Sequence, residues 1–202
     1  IVTLTANVMK AKICALWLLD TNTHELKIRA TQAMSEEYLQ ERSLKLGEGI
    51  VGLVAKEKKP MVIEDVQKDD RYQEKKLAKK EGFVSMLSVP MLVKDKVMGV
   101  INVYTVEKYD FTKADIDLLS ASANQAAVAI HNTELIVETK VIQEELETRK
   151  KVERAKGILM KQQGLPEAEA YKLMRKSSMD RRVSMKEIAD AIVLSYEISG
   201  GK

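Results

Sequence analysis

The sequence predicts an α+β domain, an antiparallel sheet with flanking helices, joined by a long helix or coiled coil to an all-α bundle of three helices. Three observations carry this. The first half holds five short runs rich in Val, Ile and Leu, bounded by Asp, Asn, Gly or Pro as strands are. From Thr112 to Lys156 there is neither Gly nor Pro, and apolar residues recur at helical spacing. After "QQGLP" (162–166), two further stretches of helical periodicity follow, at 166–178 and 184–196.

In chain order, the expected strands are "KICALWLLD" (Lys12–Asp20), "ELKIRATQ" (Glu25–Gln32), "MVIEDV" (Met61–Val66), "SMLSVPMLV" (Ser85–Val93) and "KVMGVINVYT" (Lys96–Thr105). Asp20–Glu25 and Lys94–Lys96 read as hairpin turns, which makes the pairing antiparallel. Between strands, "LGEGIVGLVAKEKKP" (Leu46–Pro60) is a glycine-rich opening to a short amphipathic helix. It lacks the Lys-Ser/Thr of a phosphate-binding loop and is read as lacking the Gly-x-Gly-x-x-Gly spacing of a dinucleotide fingerprint, so no site for nucleotide phosphates is expected.

The long helix starts at Thr112, with Asp115 three residues on completing a capping arrangement. Ile116, Leu119, Ala123, Ala126, Ala127 and Ile130 form its first apolar stripe. Leu135, Ile142 and Leu146 then stand seven and four apart among Glu-rich surroundings, a short coiled-coil pattern. At about 45 residues this helix would run about 68 Å, too long to bury in one small domain, so a partner helix is expected, most simply from a second copy. Gly164 ends it and Pro166 opens the next helix. Ser184 and Glu187 fit a capping box for the last. The expected boundaries are a domain at 1–134, a coiled-coil linker at 135–148 and a helical bundle at 149–202.

Composition limits the function classes. Apolar residues make up 45% and charged residues 31% of the 202, enough for a core and a solvated surface. The longest fully apolar run, Ile13–Leu19, is far short of the ~18–20 residues that span a bilayer. No basic-then-apolar leader opens the chain, which starts without Met inside a structured-looking segment, so residues upstream are expected to be missing. Cys14 is the only cysteine, which excludes an internal disulfide framework and suggests a reducing, cytoplasmic setting.

Catalytic chemistry finds little support. His24 falls in a turn and His131 on the long helix, neither with ligands at zinc spacing. No Ser sits in a nucleophile elbow, the acid pairs Glu64-Asp65 and Asp69-Asp70 read as loop residues, and Cys14 alternates with apolar neighbours as a buried small hydrophobe does. The expectation is a protein that is not an enzyme, with no metal and no resident cofactor.

Charge is more informative. The net charge of +3 conceals a module, 149–186, with 12 Lys/Arg against 4 Asp/Glu, whereas residues 1–140 carry 20 of each. A cationic module reads either as a solvated face or as a surface for a polyanion. On a helical wheel of 149–163, Val152, Ala155 and Leu159 cluster on one side with Ile158 at its edge. Lys150, Arg154 and Lys161 fall within roughly 40° of one another on the other side. Gly157 lies in this basic stripe. A mid-helix glycine costs about 1 kcal/mol relative to alanine, and three readings stay open: close approach of a bulky anion to the backbone, a neighbouring helix of a dimer, or a tolerated surface residue. The later helices add Lys172, Arg175, Lys176, Arg181, Arg182 and Lys186. Only Tyr171 and Tyr196 are aromatic after residue 140, and Tyr171 reads as core. Electrostatic and shape recognition of a folded polyanion therefore fits better than base stacking.

Two resemblances extend this. "AKGILM" (Ala155–Met160), "EAEAYKLMRKSSM" (Glu167–Met179) and "SMKEIADAIV" (Ser184–Val193), in order and at family spacing, resemble the ANTAR family of RNA-binding antitermination modules. The resemblance implies a dimeric three-helix bundle that binds paired stem-loops in nascent transcripts and prevents a terminator hairpin from forming. The family often has Leu directly before its Arg, where this chain has Met174 before Arg175. The RNA-facing residues are then expected to be Lys150, Arg154, Lys156, Gly157, Lys161, Arg175, Lys176, Arg181, Arg182 and Lys186. "LKLGEGIVGLVA" (Leu44–Ala55), "VIEDVQKDDRY" (Val62–Tyr72), "GFVSMLSVPMLVKDKVMGVINVY" (Gly82–Tyr104) and "FTKADIDLLSASANQAAVAIHN" (Phe111–Asn132) resemble a GAF domain, which implies a sensory fold for a small ligand. The cyclic-nucleotide signature of some GAF domains is broken here, Asn102 being followed by Val103 and Asp115 by Ile116. Neither a bilin-attaching cysteine nor the cysteine set of GAF-type methionine sulfoxide reductases is present. The ligand stays unidentified.

The expected function is antitermination controlled by a small-ligand sensor, acting on leader-transcript stem-loops as a homodimer joined through the long helix. Two alternatives stay open: a DNA-binding helix–turn–helix in 165–193, and a dimerisation module that binds no nucleic acid. A DNA reader would concentrate Arg and Lys on the first turns of its last helix, where Lys186 stands alone.

Overall fold

The computed structural model describes residues 2–31 and 42–200. These divide into two compact units, Ile1–Thr133 and Glu134–Lys202. Their elements are α1 (Val2–Val8), β1 (Ile13–Asp20), β2 (Glu25–Thr31), β3 (Ser43–Lys45), α2 (Gly49–Glu57), β4 (Met61–Ile63), α3 (Lys75–Glu81), β5 (Met86–Val93), β6 (Lys96–Tyr104), α4 (Lys113–Gln163), α5 (Glu167–Arg181) and α6 (Met185–Ile198).

The strands form one sheet in the order β3-β2-β1-β6-β5-β4, each neighbouring pair antiparallel. Period-two alternation sends β1 residues to opposite faces. Ile13, Ala15 and Trp17 pack with Ile50, Val51 and Val54 of α2 and with Leu77 and Ala78 of α3. Cys14 and Leu16 pack with Ala6 and Met9 of α1 and with Leu119, Ala123 and Ala127 of α4. The sheet is thus buried on both faces. Burial pushes the Cys14 thiol up to about 12, so it holds no thiolate near neutral pH.

Local differences from the sequence reading have local causes. The expected strand at 61–66 stops at Ile63, because the Asp65 carboxylate accepts from the Gln67 amide at 3.0 Å and starts a turn. Gln32, the expected end of β2, lies outside the described residues. The short elements α1, β3 and α3 went unread, having too few residues for periodicity to register. Gly47, Gly49 and Gly52 do fall at the Gly-x-Gly-x-x-Gly spacing, which corrects the expectation that the stretch lacks it. The spacing lacks its dinucleotide context, since β3 is a three-residue antiparallel strand and no parallel βαβ unit follows. Gly52 serves packing instead. A Cβ there would collide with the Lys45 carbonyl, so the glycine lets α2 sit against the end of β3.

α4 spans 51 residues, running unbroken through Gly157 to Gln163, so it ends where Gly164 is expected to stop it. Its start is capped reciprocally: the Thr112 amide donates to Asp115 Oδ2 at 2.8 Å and the Asp115 amide to Thr112 Oγ1 at 3.2 Å. Gly164 ends it in the left-handed region, and Ser184 and Glu187 form the expected capping box on α6. In the second unit, Ala155 and Leu159 of α4, Ala170 and Met174 of α5, and Ile188 and Ala189 of α6 make the core. On α4, Leu135, Ile136, Val141, Ile142 and Leu146 remain at least 45% exposed within the single chain.

Candidate nucleic-acid interface

The cations named from the sequence separate into two groups. On α4, Arg154 pairs with Glu197 at 2.8 Å, and Lys161 donates to the Tyr196 hydroxyl at 3.3 Å with its ammonium 6.0 Å from the ring centroid. Lys151 pairs with Asp190 at 2.6 Å. The wheel separated basic from apolar residues correctly, but α6 supplies partners to part of the basic side. These pairs are exposed, so each is worth about 0–1 kcal/mol and yields readily to a stronger anion.

Lys156 behaves differently from the rest. Its side chain is only 10% exposed, with the ammonium 2.7 Å from Glu153 Oε2 and 2.7 Å from Glu167 Oε1. The bonds to Glu153 and Glu167 raise its pKa, and Lys156 in turn holds the Glu167 carboxyl below its ordinary range. In this conformation it ties the end of α4 to the start of α5 and does not present its charge outward.

The second group is unengaged. Lys150, Arg175, Lys176, Arg181, Arg182 and Lys186 form no ion pair or side-chain hydrogen bond among the described residues. Arg175 and Lys176, with Lys172 a turn before, stand on the exposed side of α5, away from the buried Ala170 and Met174. Arg181 ends α5, and Arg182 caps it in the left-handed region at φ 55°. By contrast α6 carries one cation, Lys186, against Glu187, Asp190 and Glu197. Gly157 is exposed on α4, and a Cβ built there would meet nothing within 4 Å. Tyr171 corrects the core expectation. It is 46% exposed, because Ala170 and Met174 take the inward positions and leave the next residue outside. It borders a groove of about 620 Å³ with Val141, Val152 and Met185.

The first unit holds a cavity of about 320 Å³ on the α2 face of its sheet, lined among others by Trp17, Arg42, Glu48, Tyr72, Glu74 and Tyr104. Sequence reasoning named none of these as site residues, since they come from separated segments with no local motif. Among the described residues no group of three or more His, Cys, Asp or Glu is placed to hold a metal, and no helix is long and apolar enough to cross a membrane.

Residues 1–131 match the family model of the GAF domain, and residues 140–193 that of the ANTAR domain. The transcriptional regulatory protein PdtaR of Mycobacterium tuberculosis is 44% identical over 61 residues, 30% of this chain and 30% of its own length. The nitrate regulatory protein of Klebsiella oxytoca is 42% identical over 52 residues, 26% of this chain and 13% of its own length. The chain therefore spans less than a third of these curated relatives. Among solved structures, the GAF domain of an Acinetobacter phosphoenolpyruvate-protein phosphotransferase is 28% identical with a TM-score of 0.59, covering 68% of this chain and 81% of that one.

Proposed function

On the premise that the chain belongs to the GAF domain family and carries an ANTAR domain after it, we propose that it is a transcription antitermination regulator. In this reading the GAF unit senses a small ligand and governs how a dimeric ANTAR unit engages stem-loops in nascent RNA. The carrying observation is the unengaged cationic surface of α5 and the turn after it, beside an α6 whose carboxylates outnumber its one lysine. A polyanion would settle on α5 and the turn, with Lys150 and Gly157 of α4 as the second line of approach. Arg154 and Lys161 would join by exchanging Glu197 and Tyr196 for phosphates. Lys156 would support the surface from beneath.

The acidic α6 argues against the DNA alternative, in which the last helix would enter a major groove. The exposed apolar residues between Leu135 and Leu146 support pairing of α4 with a second copy. A sensor-driven change in pairing or register over 130–146 would then align two basic bundles for paired stem-loops. Gel-shift titration with a two-hairpin leader RNA tests this. Binding should exceed that to random RNA of equal length and should fall when Arg175 and Lys176 are both changed to Ala. Equal affinity for both RNAs refutes it. A charge-reversal pair at Lys150 and Arg154 that left regulation intact would favour a dimerisation module instead.

A further inference from the structure

We propose that α4 pairs with a second copy in parallel and in register along one heptad seam that opens at Leu118, inside the GAF unit, and runs to Leu146. Gln125, Asn132 and Thr139 are the polar layers that select the register. This deepens the pairing of α4 proposed above and rests on that reading.

The first half of α4 has two faces. Leu119, Ala123, Ala126 and Ala127 are buried against the sheet. On a helical wheel the exposed Leu118, Ala121, Gln125, Val128 and Asn132 fall roughly 180° away. The outward face of a helix ordinarily carries charge. Here no Asp, Glu, Lys or Arg occurs from Leu118 to Thr133, in a chain that is 31% charged. Leu118 and Val128 are 43% and 44% exposed in the single chain. Leu4 and Val8 of α1, more exposed still, line a small groove with Leu118 and Ser122. Absence of charge over exposed apolar side chains marks a contact surface.

The spacing identifies what covers it. Leu118, Gln125, Asn132, Thr139 and Leu146 recur every seven residues, and Ala121, Val128, Leu135 and Ile142 stand three residues after the first four. These are the a and d positions of one heptad repeat, and every one of them is exposed. The pattern of Leu135, Ile142 and Leu146 thus continues back into the first unit, and Arg149 at the next d position ends it. Three of the a layers are polar. Ser122, Thr133 and Thr148 turn their hydroxyls back onto carbonyls of the helix, at 2.7–3.0 Å. Gln125, Asn132 and Thr139, by contrast, make no side-chain hydrogen bond among the described residues.

Against a foreign apolar helix these three groups would be desolvated without partners. An antiparallel second copy fares no better. It sets a against d, and every d residue from Ala121 to Ile142 is apolar. In a parallel, in-register second copy each polar side chain faces itself. Amides and hydroxyls both donate and accept, so all three layers are satisfied at once. Polar a layers fix register at a cost in stability, which leaves the seam weak enough for the sensor to shift.

The test is disulfide trapping in the full chain. Ala121→Cys, Val128→Cys, Leu135→Cys and Ile142→Cys should each cross-link to themselves on mild oxidation, while Lys140→Cys, exposed but off the seam, should not. The native Cys14 is buried, so the unsubstituted chain should stay uncross-linked. Cross-links at Leu135→Cys and Ile142→Cys with none at Ala121→Cys and Val128→Cys overturn the proposal and leave the pairing over 130–146 standing. Cross-linking only in a mixture of Ala121→Cys with Leu146→Cys overturns the parallel register. A chain that is monomeric in sedimentation and cross-links nowhere overturns both readings. Asn132→Leu, at an exposed position, should tighten self-association about tenfold in sedimentation equilibrium and admit higher oligomers. Unchanged or weaker self-association overturns the role of the polar layers. If Asn132→Leu precipitates, Gln125→Leu decides in its place.

Discussion

Replacing Gly157 with Ala tests whether this position is kept open for RNA. The residue lies within α4, exposed, and the added Cβ would meet nothing within 4 Å. No steric term therefore opposes the change within the chain, and the propensity term stands alone: Gly157→Ala should stabilise the helix by about 1 kcal/mol. The second unit spans Glu134–Lys202, and in a domain of that size such a gain raises the melting temperature by roughly 4–8 °C. Circular dichroism melts measure it directly. If the open backbone serves RNA, the same variant should bind a two-hairpin leader RNA about tenfold more weakly, a loss of about 1.4 kcal/mol. Greater stability with unchanged RNA affinity refutes the close-approach reasoning. Weaker self-association in sedimentation, with RNA affinity per dimer intact, assigns the gap to a neighbouring helix.

Arg182 poses the same question at the end of α5, where an arginine adopts φ 55°. Arg182→Gly should remove backbone strain and stabilise the bundle by up to about 1 kcal/mol in denaturant titration, while RNA affinity falls. Changing both Arg175 and Lys176 to Ala should lower the slope of log K against log salt by about two and leave the melting temperature within a degree or so. Acid should loosen the second unit. Glu167 is held below its ordinary range by Lys156 and Glu187 by the Ser184 amide, so their contribution is complete above the unfolded carboxylate pKa and is lost as pH falls through the folded values. Melts between pH 6 and about 3 should show the decline, and Lys156→Met should flatten the part due to Glu167. Replacing Ile142 and Leu146 with Asp should shift the protein toward monomer in sedimentation equilibrium.

Much of the scaffold was legible because its determinants are local. Alternation marked β1, β5 and β6, and capping pairs three residues apart marked the starts of α4 and α6. Gly164 and Pro166 marked the break between α4 and α5. The exposed position of Gly157 followed from helical periodicity alone.

Tertiary structure decided how the charges and the cavity are used. Lys156 and Arg154 lie two residues apart on one basic helix, yet Lys156 is folded inward against Glu167, 11 residues on, while Arg154 reaches outward to Glu197, 43 residues on. No local pattern carries partners at such separations, so the sequence named the cations and the packing of α5 and α6 sorted them. The cavity draws Trp17, Arg42, Tyr72 and Tyr104 from four separated segments. The sequence by itself determined helices, strands and the cationic module, because periodicity and capping act within a few residues. Which charges remain available to a ligand was decided only when distant segments met, because Coulomb and burial energies depend on distance through space.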